Sequence, residues 1–277
     1  CSNGRCAAVS ALAEGSANES CAVLSDHALW CWGDNSHGQL GRGALGGQFA
    51  QPAPATVVSD PVAQAVVGND YACALTMPPK NEVWCWGDGA AAQGNSSGTK
   101  VQLPAGATFI SGGPTGVCAQ LTDGSIYCWG QNDSGNLGCG EAGAMLISPL
   151  APRLLLANAN IAHLAVGLSG TCASESGNDT VHCFGNTAWG FMGDGRSGAD
   201  DPCQSSVISS FASIQLDAIT AGDFGVCARN INGEWFCWGM NYVYYNDGVL
   251  WPPTKVDVFT TPFKLPIEIG RASCRER

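Results

Sequence analysis

The sequence is poor in charge, above all in positive charge. Of 277 residues, 13% are charged, and 12 Lys and Arg stand against 23 Asp and Glu, a formal net charge of -11. Neutralising nucleic-acid phosphates takes clustered basic side chains, so no nucleic acid is expected as a partner. Histidine is scarce, with 4 in the chain. No copy of the cysteine repeat described below has the short hook of a structural zinc site, so neither a metal nor a cofactor is expected. Long apolar runs are missing too: the span 146–168 is broken by Pro149, Pro152, Arg153 and His163 and is no membrane helix. No helix-length amphipathic segment is present, and no nucleophile elbow or histidine-centred motif organises Ser, His and Asp, so no enzyme is expected. In excess are glycine, with 37 residues, and cysteine, with 15. Such a chain builds many short strands with tight turns.

Those residues recur in order. CAVLSDHALWCWGDN (21–35) returns as CALTMPPKNEVWCWGD (73–88), CAQLTDGSIYCWGQN (118–132), CASESGNDTVHCFGN (172–186) and CARNINGEWFCWGMN (227–241). The first cysteines are spaced by 52, 45, 54 and 55 residues, a period that suits a propeller blade. Each copy reads as a hairpin: a short apolar strand, a polar tip and an aromatic strand, with Asp123-Gly124 and Asn232-Gly233 as turn pairs.

Cysteines equidistant from a tip face each other across an antiparallel pair, roughly 4.5–5.5 Å apart at Cα, within reach of a disulfide. The spacing therefore pairs Cys21 with Cys31, Cys73 with Cys85, Cys118 with Cys128, Cys172 with Cys183 and Cys227 with Cys237. Their separations of 10, 12, 10, 11 and 10 vary only in the tips, where register below is undisturbed. Buried free thiols copied with the repeat are the alternative.

An apolar stretch ending in glycine precedes each hairpin. In the last four copies the glycine lies five residues before the cysteine, at Gly68, Gly113, Gly167 and Gly222, where a backbone angle open only to glycine is expected. Downstream, GQLG (38–41), GNLG (135–138) and GFMG (190–193) form a second turn.

The ends depart from this pattern. The chain begins at Cys1 without a visible secretory leader, and VSALAEG (9–15) already reads as the closing part of a blade, so further sequence is expected upstream. The stretch 268–277, EIGRASCRER, resembles translated adaptor sequence and is set apart from a propeller domain spanning 1–267. Excluding Cys274 leaves an even cysteine count. Besides the ten in hairpins there are Cys1, Cys6, Cys139 and Cys203, whose pairing is not deducible. Regular paired cysteines point to an oxidising compartment. Sequons at Asn18, Asn95, Asn132 and Asn178 are candidate glycan acceptors, with Asn178 at a hairpin tip.

GDNSHGQLG (33–41) and GQNDSGNLG (130–138), following CAxL hairpins and a CWG, resemble repeats of the regulator of chromosome condensation superfamily over residues 9–250. The resemblance implies an all-β propeller, usually of seven four-stranded blades, of which five are visible here. The cysteine-flanked form is similar to ectodomains of crinkly-type plant receptor kinases and to secreted bacterial and algal repeat proteins.

Trp32, Trp86, Trp129, Phe184 and Trp238 follow the second cysteine in each copy and are expected to pack between blades. Trp30, Trp84, Tyr127, His182 and Phe236 precede it and are expected on the opposite side of the strand. Asp34, Asp88, Asp133 and Asp247 read as turn residues. The loops 43–54, 139–152 and 195–207 share no sequence. Loops that differ on a rigid frame carry recognition. The expected function is a non-catalytic extracellular or secretory-pathway module binding a protein or peptide, with a glycan as second choice. A membrane would be met only through a segment absent from this sequence. The alternative is an intracellular propeller acting as a nucleotide exchange factor for a small GTPase.

Overall fold

Each copy of the repeat folds into a four-stranded antiparallel sheet, and five such sheets occur among the described residues. The computed structural model describes residues 7–14, 18–47, 50–89, 91–92, 94–132, 135–138, 151–157, 160–177, 180–187, 190–194, 204–208, 215–240 and 249–256. Blade one contains β1 (Val9–Glu14), β2 (Glu19–Leu24), β3 (Leu29–Gly33) and β4 (Ala50–Pro54). Blade two contains β5 (Val62–Val67), β6 (Tyr71–Thr76), β7 (Val83–Gly87) and β8 (Asn95–Lys100). Blade three contains β9 (Ala107–Gly112), β10 (Gly116–Leu121), β11 (Ile126–Gly130) and β12 (Arg153–Leu156). Blade four contains β13 (Ile161–Val166), β14 (Gly170–Glu175), β15 (Val181–Gly185) and β16 (Gln204–Ile208). Blade five contains β17 (Leu216–Ala221), β18 (Gly225–Asn230), β19 (Trp235–Met240) and β20 (Val249–Val256).

Within each sheet the strands lie in chain order, and the first strands pack successively: β1 on β5, β5 on β9, β9 on β13, β13 on β17. This is the inner ring of a β-propeller. Each of these strands carries a register irregularity at its second residue, Ser10, Ala63, Thr108, Ala162 or Asp217. An extra residue there bends and twists the strand where the blades crowd together.

Strand alternation gives each blade two unlike faces. The cystine face points to the next blade: Cys21, Val23, Leu29 and Cys31 pack on Val62, Val67, Ala72 and Trp86. The same layering joins blades two and three, three and four, and four and five. The interior is therefore a stack of seams between blades rather than one central core.

Two expectations need correction. Trp84 and Trp86 both pack into the seam with blade one, so the residues before and after the cysteine share a face rather than opposing one another. Period two requires this, because both are one residue from Cys85. Nor do Gly68, Gly113, Gly167 and Gly222 adopt a left-handed backbone. That conformation belongs to the CWG glycines, Gly33, Gly87, Gly130, Gly185 and Gly239, with φ from 97° to 137°. Gly68, Gly113 and Gly167 serve close approach at the inner ring: a Cβ on Gly113 would lie 2.7 Å from the Val166 carbonyl, and one on Gly167 2.3 Å from that of Gly222.

Candidate functional site

The hairpins set the frame. Cys21 faces Cys31, Cys73 faces Cys85, Cys118 faces Cys128, Cys172 faces Cys183 and Cys227 faces Cys237 in direct register. All five pairs are disulfide-bonded, with Cα atoms 4.0–4.2 Å apart. That is slightly below the spacing of about 4.5–5.5 Å expected from strand geometry alone. The first four pairs are fully buried beneath the next blade, whereas Cys227 and Cys237 are half-buried.

Two of the aromatic residues after the second hairpin cysteine reach back to the preceding blade. Trp86 Nε1 donates to the Gln39 carbonyl and Trp238 Nε1 to the Phe191 carbonyl, both at 2.8 Å. Trp129 is equally buried, but its Nε1 has no partner. Trp32 and Phe184 are half-buried. Phenylalanine cannot donate, and blade four compensates: Thr171, directly opposite Phe184 in the hairpin, donates its hydroxyl to the Asn136 carbonyl, the counterpart of Gln39. Thr171→Val is expected to cost about 1–2 kcal/mol by leaving that carbonyl unpaired. Phe184→Trp in the same background should recover part of the loss in a denaturation double-mutant cycle. No recovery would show that the two donors are not interchangeable.

In blades one and three the turn after the third strand is built on an asparagine. Asn35 Oδ1 accepts from the Leu40 amide at 3.0 Å and its Nδ2 donates to the Ala44 carbonyl at 2.9 Å. Asn132 repeats this with the Leu137 amide at 2.8 Å and the Gly138 carbonyl at 2.9 Å. Asn132 is thus corrected from glycan acceptor to turn scaffold: it is buried, and its amide nitrogen is engaged inside the fold. Asn18 is exposed with φ 64°. Asn95 opens β8, with its side chain outside the described set. Asn178, Cys1, Cys6, Cys139, Cys203, Asp133, Asp247 and residues 139–150, 195–203 and 268–277 lie outside the described residues.

These turns join the turns between first and second strands into one rim. Within blades, the amides of Asp34 and Asp88 donate to the carbonyls of Asn18 and Asp70. Between blades, the amides of Asn69 and Ser169 donate to the carbonyls of Pro114 and Asp223. His37 Nδ1 lies 3.2 Å from Asp70 Oδ1 across the seam of blades one and two. The rim is acidic: Asp34, Asp70, Asp88 and Asp223 all sit on it. The Asp34 carboxyl is held below its usual range by hydrogen bonds from Ser36. Arg42, beside them, donates to the carbonyls of Cys31 and Gln51.

Beneath this rim lie two groups that motif reading did not single out. Tyr71, fully buried, places its hydroxyl 2.6 Å from the Gly113 carbonyl and 2.9 Å from that of Gly116. Glu19 is buried with neither carboxyl oxygen hydrogen-bonded. Burial pushes its carboxyl up to about 7; the charges of Asp70 and Asp34 add to the rise, and the amides of Glu19 and Asp70 oppose it. Among the described residues no group of His, Cys, Asp and Glu has the geometry to hold a metal ion.

Regulator of chromosome condensation (RCC1) repeats match this chain at residues 26–75 and 123–174. It is 31% identical over 145 residues to the human E3 ubiquitin-protein ligase HERC2, covering 49% of this chain and 3% of the ligase. The chain therefore spans a small part of that relative's length. It superposes on Prp20p from Saccharomyces cerevisiae, whose crystal structure was described with its binding to Gsp1p and histones. The TM-score is 0.76 at 17% identity, covering 90% of this chain and 65% of that one. The crinkly ectodomain of the Arabidopsis thaliana receptor kinase ACR4 superposes with a TM-score of 0.54 at 19% identity, covering 85% and 67%. At these identities both structures show the fold alone.

Proposed function

We propose that this RCC1-repeat propeller is a non-catalytic module of an oxidising compartment, extracellular or secretory, whose acidic rim binds a basic segment of a protein partner. The observation that carries the reading is the rim itself: asparates on turns tied to one another, on blades each stapled by a disulfide. A frame that does not reorganise loses little entropy on binding. Fixed negative charge steers a basic partner and sets its register.

Panning the folded protein against a displayed random peptide library tests this. Lys- and Arg-bearing peptides are expected to be enriched, with binding that weakens at high salt and at least tenfold on combining Asp34→Asn, Asp88→Asn and Asp223→Asn. No enrichment, or binding indifferent to those changes, overturns the reading.

An exchange factor for a small GTPase is the second reading, prompted by the RCC1-repeat match at residues 26–75 and 123–174. Accelerated nucleotide release from a Gsp1p-type GTPase would select it. Glycan binding has no comparable support among the described residues.

A further inference from the structure

Glu19 and Tyr71 occupy the same place in successive blades, the first residue of the second strand. Tyr71 points across the seam from blade two to blade three and offers its proton to the paired carbonyls of Gly113 and Gly116. Glu19 shares its face with Cys21 and Val23, which pack on blade two. Neither carboxyl oxygen finds a hydrogen-bond partner there. As a carboxylate, Glu19 would hold a buried charge beside Asp34 and Asp70, only partly offset by the amides of Glu19 and Asp70. As a carboxylic acid it carries a proton to donate, as Tyr71 does.

We propose that Glu19 is a proton-operated latch between blades one and two, closed when its buried carboxyl is neutral and loosened when it ionises. The groups around it do not neutralise the charge. Asp34 bears on it from the turn after β3, Asp70 from the turn before β6, and the buried phenol of Tyr71 from β6 itself. His37 sits above on the rim, paired with Asp70. No lysine or arginine is among the groups acting on it.

The direction of the effect follows from proton linkage. The folded carboxyl keeps its proton up to about 7, whereas the unfolded one loses it near 4.5. The seam is therefore fully held below the lower value, weakens as pH rises through the interval, and is level above the upper one. Because His37 and Asp70 straddle this seam, its opening displaces the rim, whatever the rim binds.

The test uses the full chain with carbon-13-labelled glutamate. The Glu19 carboxyl is expected to titrate with a midpoint near 7. Hydrogen-exchange protection of the Ala22 and Ala72 amides, corrected for intrinsic rates, should fall roughly 100-fold between about pH 5 and about pH 8. Glu19→Gln, which is neutral at every pH, should give level protection, and Asp70→Asn should move the wild-type midpoint down. A Glu19 midpoint near 4.5 overturns the latch, as does protection that still falls with pH in Glu19→Gln. If the glutamine variant fails to fold, Glu19→Tyr, which copies the next seam, replaces it, and the wild-type titration decides by itself.

Discussion

Trp86→Ala is expected to destabilise the propeller by about 3–5 kcal/mol, measured by denaturant unfolding at neutral pH. The indole is fully buried in the seam between blades one and two, and its Nε1 proton is held by the Gln39 carbonyl at 2.8 Å. Truncation leaves a cavity against the Cys21–Cys31 cystine and strips a buried carbonyl of its donor at once. Trp32→Ala is the comparison, because Trp32 has the same repeat position but is half-buried. Its loss should be less than about 2 kcal/mol, in proportion to the smaller area removed from water. Equal losses at the two sites would mean that the aromatic position stabilises its own blade rather than the seam. The same contact explains the GQLG glycine: Gly41 has φ +66°, and a Cβ there would lie 2.8 Å from Trp86 Nε1.

Replacing Cys73 and Cys85 together with alanine should cost about 2–3 kcal/mol, the loop-closure value for a ring of this length. A cost near zero would place the stability of the hairpin in its ladder and seams. Reduction of the native protein supplies a second measurement. Cys227–Cys237 is half-buried while the other four pairs are fully buried, so alkylation after mild reductant should mark blade five first. The remaining cystines should react only as fast as the fold opens. Five bonds of this size sum to about 10 kcal/mol or more, comparable to the whole stability of an ordinary domain. Such dependence supports a module that folds where disulfides form.

Much of the frame was legible because its signals are local. Cys118 and Cys128 each lie five residues from Asp123, which implies their register before any packing is considered, and the longer tip of blade two leaves Cys73 opposite Cys85. Glycine roles were misassigned for a related reason. A sequence marks where glycine recurs, but Gly113 is required by the Val166 carbonyl of another blade, 53 residues on. Asn132 read as a sequon because its short-range pattern is a sequon; that its amide spans the turn to Gly138 appears only in the folded loop. The alignment of Asn35 with Asn132 was the available signal, since a sequon is absent at Asn35 and the asparagine persists.

By itself the sequence determined the five-fold repeat, the hairpin pairing of the ten cysteines and the all-β class, since period, turn chemistry and strand alternation act within one blade. The tertiary structure alone decided which blade each face meets. That assigned the cystine face to the following blade and the tryptophans to the preceding one, gave Thr171 the donor's part that Phe184 cannot play, gathered the aspartates onto one rim and buried Glu19 without a partner. Most of these depend on a group more than thirty residues distant in the chain, brought within contact by the packing of one blade on the next, and no spacing inside a single repeat encodes them.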